Sequence, residues 1–297
     1  MDRIITHNAG RIVVVTGAGK GLGAAFARRW GDLKGRVVVN NRSHAGVPST
    51  AEAVAGKIRT DGGQAIAETS DVSDPAAAKA IVDKAISTYG GIDSLILNAG
   101  ISGDAARFVD SDPAVFTDVM AINFHANIAI VKAALPYLLK SKAGRIVFVS
   151  STAGLYGVHG RAAYAASKGA LNGFAFSLAE EVRRNRIGVN ILMPYAATQM
   201  TGGTLPKEIE QMMDPEKVAD TACWLSSADC TETGEIWVAG AGYARRATIS
   251  ESDDLIQRPS DAGEPDELRF RNGEAAFADF LSAVSRATKQ PEKTSGT

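Results

Sequence analysis

Four consecutive apolar residues, Ile12-Val13-Val14-Val15, run straight into Thr16-Gly17-Ala18-Gly19-Lys20-Gly21-Leu22-Gly23, and a stretch of helical periodicity follows over 21–30. A β-branched run of this length reads as a buried strand, and the glycines read as the turn that joins it to a helix. Each glycine has a physical task. One allows the sharp turn, one lets the backbone approach a pyrophosphate, and one lets helix and strand pack closely. The helix N-terminus then offers free N–H groups and the positive end of its dipole to an anion. Such a turn can exist without a ligand, but a strand before it and a helix after it are the context of a dinucleotide site.

The same alternation continues along the chain. Strands are expected at 12–16, 36–40, 94–97, 145–150 and 187–192, with weaker candidates at 64–67 and 235–238. Helical patterns lie between them, among others at 75–89, 113–139 and 162–184. Strands alternating with helices imply βαβ units and a parallel sheet. Runs such as IVVV and RIVFV are apolar on both faces, as strands covered by helices on both sides must be. The expected fold is α/β: a single Rossmann-type, doubly wound parallel sheet of about seven strands with helices on both faces, occupying residues 1–245. After residue 245 the chain turns polar and acidic, and residues 246–297 are expected to form a partly ordered extension outside the sheet.

Composition excludes several other classes. The chain has 297 residues, a formal net charge of −1, 45% hydrophobic and 22% charged residues, and no basic stripe for a nucleic acid. Arg183-Arg184 and Arg245-Arg246 read as solvated charges. The two cysteines, Cys223 and Cys230, form neither a disulfide framework nor a metal-ligand pattern, so no metal is expected. The first ten residues lack the apolar core of a secretory signal, and no apolar run approaches the roughly 20 residues needed to cross a bilayer. No membrane partner and a cytoplasmic location are the expectations.

The end of the second strand bears on which dinucleotide binds. An acid there would bond the ribose hydroxyls of NAD, whereas an arginine accommodates the 2′-phosphate of NADP. The sequence has Asn40-Asn41-Arg42, with Lys20 available from the glycine turn. NADP(H) is favoured, and NAD(H) stays open because Asn41 can bond an unphosphorylated ribose. Farther on, Tyr164 and Lys168 stand four apart at the start of a long helical pattern, on one helix face. A free phenol titrates near pH 10 and a neighbouring ammonium favours its ionised form, so the pair suits proton exchange with a carbonyl or alcohol oxygen. Ser150-Ser151 closes the apolar strand thirteen residues upstream, where a hydroxyl faces the ligand crevice of such a sheet. Ser151 is expected to hydrogen-bond the substrate oxygen.

With these residues in place the sequence resembles the short-chain dehydrogenase/reductase family over residues 10–243. The matching motifs are Thr16 to Gly23, Asp71-Val72, Asn98-Ala99-Gly100, Asn123, Ser151, Tyr164 with Lys168, and Pro194 with Thr198. The resemblance implies a catalytic set of Asn123, Ser151, Tyr164 and Lys168, with Asn123 holding a water of a proton relay and Lys168 also binding the nicotinamide ribose. It implies that Asp71 and Val72 flank the adenine and that Asn98, Ala99 and Gly100 line the cofactor cleft. Within the family the chain looks most like the (3R)-hydroxyacyl-CoA dehydrogenase module of peroxisomal multifunctional enzymes, in stretches such as SSTAGLYGVHGRAAYAASKGAL and GEIWVAGAGYARR. It departs from that module at Asn41, where the module has an Asp, and at Pro194-Tyr195, where the family usually has Pro-Gly; the module's hydratase and sterol-carrier domains are not expected here.

The resemblance implies hydride transfer between a nicotinamide dinucleotide, for which Asn41, Arg42 and Lys20 favour NADP(H), and a small-molecule carbonyl or secondary alcohol, by a homodimer or homotetramer paired through the helices at 113–139 and 162–184. An NAD-dependent (3R)-hydroxyacyl-CoA dehydrogenase is the alternative. A non-catalytic nucleotide-sensing regulator would keep the fold but lose Tyr164 or Lys168, and both are present. The substrate pocket is expected in the loop at 195–214, which carries no decodable chemistry.

Overall fold

A computed structural model of the chain describes residues 8–197, 207–252 and 267–269. The apolar runs become the centre of one sheet: β1 (Ile12–Val15), β2 (Arg36–Asn40), β3 (Gln64–Glu68), β4 (Ser94–Leu97), β5 (Arg145–Val149), β6 (Gly188–Tyr195), β7 (Ile236–Gly240) and β8 (Tyr243–Ala247), in the order 3-2-1-4-5-6-7-8. Strands β1 to β7 pair in parallel, with Val13 opposite Val37 on one side and Ser94 on the other. Every residue of β1, β4 and β5 is buried, which explains the absence of a polar face in these runs.

Helices cover this sheet. On one side α1 (Gly21–Asp32), α2 (Thr50–Thr60) and α9 (Glu216–Leu225) close over a core that includes Phe26, Trp30, Val39, Ile58, Val147, Leu192 and Leu225. Burying each such side chain contributes about 1.5–3 kcal/mol. A second group comprises α3 (Ala77–Tyr89), α4 (Pro113–Met120), α5 (Ala126–Leu138) and α7 (Ala162–Val182), with α3 packed on α5 and α7 on β6. The short α6 (Ala153–Tyr156) and α8 (Lys207–Met212) complete the set.

Two polar devices hold the lower edge of the sheet. Arg11 is buried and donates to Ser94 Oγ and to the carbonyl of Ala143, each at 2.7 Å. Arg145, equally buried, donates to the carbonyls of Gly144 at 2.7 Å and Cys230 at 2.6 Å. Burial lowers the pKa of Arg11 to about 10 against the attraction of Asp93.

Four expectations are corrected. The main sheet has eight strands where about seven were expected. β7 turns into β8 through Ala241-Gly242, both at positive φ (53° and 86°), a two-residue hairpin that makes β8 antiparallel. β8 is exposed except at Ala247 and so lacks the apolar signature by which the other strands were recognised. Within it Arg246 is not simply solvated: it pairs with Glu232 at 2.7 Å and lies 5.2 Å over the Trp237 ring. The helix expected at 113–139 is interrupted at 121–125 by a π-helical turn around Asn123. Finally, the run Pro113–Leu138 is long and apolar enough to cross a membrane by length and mean hydropathy, although the sequence was expected to contain no such run; 33% of its most apolar window is buried within the chain.

The chain divides into two compact units, Met1–Arg246 and Ala247–Thr297. In the second, β9 (Ser250–Ser252) pairs antiparallel with β10 (Glu267–Arg269). Most of the expected partly ordered extension lies outside the described residues.

Candidate active site

The glycine turn packs to van der Waals limits. Gly17 has φ 62°, and a Cβ on it would stand 2.8 Å from the Ala99 Cα. A Cβ on Gly23 would stand 2.4 Å from the Gly17 carbonyl oxygen and 2.6 Å from Asn98 Nδ2. The space is already taken by a tie between β1 and β4. Asn98 Nδ2 donates to the carbonyls of Thr16 and Gly17, each at 3.1 Å, and Thr16 Oγ1 accepts from the backbone N–H groups of Asn98 and Ala99 at 3.0 and 3.1 Å.

Beside this turn opens a cleft of about 760 Å³. Of the residues expected to hold a cofactor, Gly17, Lys20, Gly21, Leu22, Asn41, Arg42, Asp71, Val72, Asn98, Ala99 and Gly100 line it. Gly19 and Gly23 do not; they are the packed floor of the turn, and a Cβ on Gly19 would meet Thr50 Oγ1 and Asn41 Nδ2. Pro194 sits in β6 opposite Ala239, away from that lining. Thr198, and the stretch 198–206 of the expected substrate loop, lie outside the described residues. Ser43, His44 and Thr50 join the lining beside Arg42, although the sequence pattern did not single them out.

Arg42 and Asp71, which the sequence assigned to different parts of a cofactor, are ion-paired across the cleft at 3.3 Å. Burial pushes the Asp71 carboxyl up, but hydrogen bonds from Ser73 and then from Arg42 outweigh it and hold the group below its ordinary value. Asn41 Nδ2 donates to Thr50 Oγ1 at 2.8 Å. The nearest acid to the end of β2, Glu68, is buried and already accepts from Asn40 Nδ2 at 2.6 Å and from Ser70.

The second half of the site is carried by α7. Tyr164 and Lys168 share one face of it, and the Lys168 Nζ lies 5.7 Å from the Tyr164 ring centre. Lys168 is buried and donates to the Val149 carbonyl at 2.8 Å; burial pulls its pKa down to about 8. Burial raises the Tyr164 phenol above its ordinary value, and the hydrogen bond with Ser151, then the charge of Arg161, lower it by less. The sequence assigned that lowering to Lys168. In the folded chain the ammonium lies over the ring face, and the lowering influences on the phenol are Ser151 and Arg161. Arg161 also donates to the Gly103 carbonyl and so ties the loop after β4 to the start of α7. Its position three residues before Tyr164 was the available signal.

Asn123 is fully buried and its side chain is fully committed. Oδ1 accepts from the Ile101 N–H at 2.8 Å, while Nδ2 donates to the Ile101 carbonyl and to Ser167 Oγ, both at 2.9 Å. Its backbone carbonyl accepts from Asn127 Nδ2 at 2.7 Å. Ser167 in turn donates to the Tyr164 carbonyl at 2.8 Å. The Asn123 side chain thus acts as a clamp between the π-turn, the loop after β4 and α7. The two halves of the site meet at Gly100, where a Cβ would lie 3.0 Å from Asn123 Oδ1 and 3.6 Å from Lys168 Nζ. Among the described residues, no group of three His, Cys, Asp or Glu is placed to hold a metal ion.

The cleft suits a nicotinamide dinucleotide: the turn is a cradle that any Cβ would fill, it opens a helix N-terminus, and the cleft leads through Gly100 to the Ser–Tyr–Lys group.

Comparison with known proteins agrees. The model of the short chain dehydrogenase family matches residues 11–209. The chain is 33% identical to the peroxisomal multifunctional enzyme type 2 of Mus musculus over 294 residues, 97% of this chain and 39% of that one. It spans between 39% and 55% of the first three curated relatives that it matches. A short chain dehydrogenase structure from Mycobacterium avium aligns with a TM-score of 0.76 at 30% identity, covering 93% of this chain and 96% of that one. A short chain dehydrogenase of Shigella flexneri 2a, complexed with NADP, aligns with a TM-score of 0.71 at 30% identity, covering 78% and 98%.

The contacts of Gly23 lead to a test. Gly23→Ala places a methyl group against the Gly17 carbonyl and Asn98 Nδ2. The turn must move, and dinucleotide affinity is expected to fall at least about tenfold, or about 1.4 kcal/mol. Calorimetric titration with NADPH and NADH measures it, and circular dichroism checks the fold. Unchanged affinity for both would remove the turn from the binding site.

Proposed function

This chain belongs to the short-chain dehydrogenase/reductase family, and we propose that it transfers hydride between NADP(H) and a ketone or secondary alcohol of the 3-hydroxyacyl type, with Tyr164 as acid/base. The observation that carries the chemistry is the convergence of Ser151, Tyr164 and Lys168 beside Gly100, which lines the dinucleotide cleft. Bound in that cleft, the nicotinamide supplies or accepts the hydride. The protein's own groups handle the substrate oxygen. Ser151 hydrogen-bonds it, and Tyr164 gives it a proton in reduction or takes one in oxidation. Lys168, beneath the ring face, supplies positive charge in a dry site where a charge acts strongly.

The preference for NADP(H) rests on the far end of the cleft. Arg42, Lys20 and His44 all line it, and no acid stands at the end of β2. The Asp71 pairing does not remove Arg42 from play. A guanidinium carries five donors and can hold a carboxylate and a phosphate together, and a 2′-phosphate brings close to two negative charges against one on Asp71. The 3-hydroxyacyl reading rests on the resemblance to the multifunctional enzymes and extends only to the class of substrate. The Pro113–Leu138 helix, whose most apolar window is only 33% buried, supports a homodimer or homotetramer, because a second copy would cover its remaining apolar surface.

Three measurements follow from this reading. Tyr164→Phe keeps the ring but loses the proton donor; turnover of ethyl acetoacetate with NADPH and of ethyl 3-hydroxybutyrate with NADP⁺ is expected to fall at least about 100-fold with cofactor affinity intact. Near-normal turnover would end the proposal. Arg42→Leu removes the phosphate fork and leaves Asp71 unpaired beside it; kcat/KM with NADP(H) is expected to drop about tenfold or more while that with NAD(H) is held. A wild type that already prefers NAD, or an unchanged NADP(H) value in the variant, refutes the cofactor assignment. Sedimentation velocity at micromolar concentration is expected to give a dimer or tetramer, and a monomer counts against the assembly.

A further inference from the structure

Tyr164, Lys168 and Asn172 recur every fourth residue along α7 and so share a face. The third of them is the unexpected one. Asn172 is 4% exposed, on a helix whose buried positions beyond the catalytic turn are otherwise apolar: Leu171, Ala175, Leu178, Ala179 and Val182. An apolar side chain would pack there without a polar group to satisfy. Its partner is Ser150, 3% exposed, whose hydroxyl donates to Asn172 Oδ1 at 2.6 Å. Ser150 Oγ also lies 3.4 Å from the Lys168 carbonyl, and Asn172 Nδ2 reaches the Gly154 carbonyl at 3.4 Å. Gly154 is pressed on the same helix, where a Cβ would stand 2.7 Å from the Lys168 carbonyl carbon and 2.8 Å from the Gly169 nitrogen.

These contacts bracket Ser151. Ser150 ends β5 with its N–H on the Leu192 carbonyl at 2.8 Å. Gly154 follows four residues later and donates from its N–H to the Ser151 carbonyl at 2.9 Å. The Ser151 hydroxyl accepts from the Ala153 N–H at 3.1 Å. The short segment carrying Ser151 is therefore fastened to α7 on both sides, at Ser150 and at Gly154, and Asn172 makes both fastenings.

We propose that Asn172, through Ser150 and Gly154, is a positioning residue that fixes the Ser151 hydroxyl against Tyr164. The reason is geometric. Ser151 and Tyr164 come from different elements, a strand end and a helix, whose relative height is otherwise set by nondirectional apolar packing. A buried, mutually satisfied amide–hydroxyl pair has one favoured register. A displacement of about 1 Å at a reacting group can reduce turnover by up to about 100-fold.

This inference rests on the proposed role of Tyr164, and the experiment separates the two. The full chain is prepared as Ser150→Ala/Asn172→Leu, which removes both partners and leaves no buried polar group alone. Its thermal midpoint and NADPH affinity are expected to stay near those of the wild type. Its kcat for ethyl acetoacetate is expected to fall about tenfold. The Tyr164 titration midpoint, read as the ultraviolet tyrosinate difference between each protein and its own Tyr164→Phe version, is expected to move to higher pH because the lowering influence of Ser151 is weakened. A merely structural role would lower the thermal midpoint and leave the titration in place. Wild-type kcat with an unmoved titration overturns the proposal, while a Tyr164→Phe protein that keeps its turnover overturns the underlying reading instead. Should the double variant not fold, Ser150→Ala alone, one oxygen smaller, is judged by the same two readouts.

Discussion

The first turn of the chain lies directly on the end of the fourth strand, and the site follows from that contact. Asn98 and Ala99, just after β4, make four hydrogen bonds with Thr16 and Gly17 in the turn after β1, at a distance only glycine at positions 17 and 23 permits. β1 is the strand from which the sheet runs outward both ways, to β2 and β3 on one side and to β4 and beyond on the other. Loops leaving neighbouring strands there diverge to opposite faces, and a crevice opens between them. The Asn98 tie fixes the height of that crevice, and the glycine turn makes one wall of it.

The other wall is set by polar groups buried where apolar ones would have packed. Asn123, Ser167, Lys168, Ser150 and Asn172 are all buried, and each makes at least one hydrogen bond between elements. An unpartnered polar group in such a place costs about 1–3 kcal/mol, so these side chains tolerate few alternative arrangements. Apolar packing holds the sheet together over a wide range of small displacements, whereas a satisfied polar network specifies one of them. Proton transfer needs that specification. The same dry environment drags Lys168 down to about 8 and raises Tyr164, so that two groups nearly equal in pKa when free are drawn apart before any substrate arrives.

The far end of the cleft is governed differently. Arg42 and Asp71 are both substantially exposed, and their ion pair at 3.3 Å is of the weak, screened kind, worth at most about 1 kcal/mol. It keeps the guanidinium at the rim without binding it firmly. Tight placement at the reacting end and loose charge at the recognition end are thus two uses of burial within one cleft.

How much of this could be read from the residues alone depends on the range of the interactions. The glycine turn, the valine-rich strands and the Tyr164–Lys168 spacing are local: their physics operates within a few positions, so periodicity and residue type identified the α/β sheet and the residues that line or adjoin its cleft. β8 escaped because an exposed edge strand carries no apolar pattern, and the π-turn at Asn123 because one residue's polar demand reshapes a helix only when Ile101 and Ser167 are there to meet it. Ser150 and Ser151 are indistinguishable in the sequence; the fold turns one to Asn172 and the other to Tyr164. The pairing of Arg42 with Asp71, and the influence of Ser151 and Arg161 on Tyr164, likewise arise between residues far apart in the chain or in orientations no spacing encodes. The sequence by itself determined the layered fold and the chemical groups available, because backbone sterics and hydrophobic periodicity are local. Which of those groups touch, and with what protonation, was decided only by tertiary structure, because hydrogen bonds, burial and Coulomb interactions depend on distances that exist only once the chain has folded.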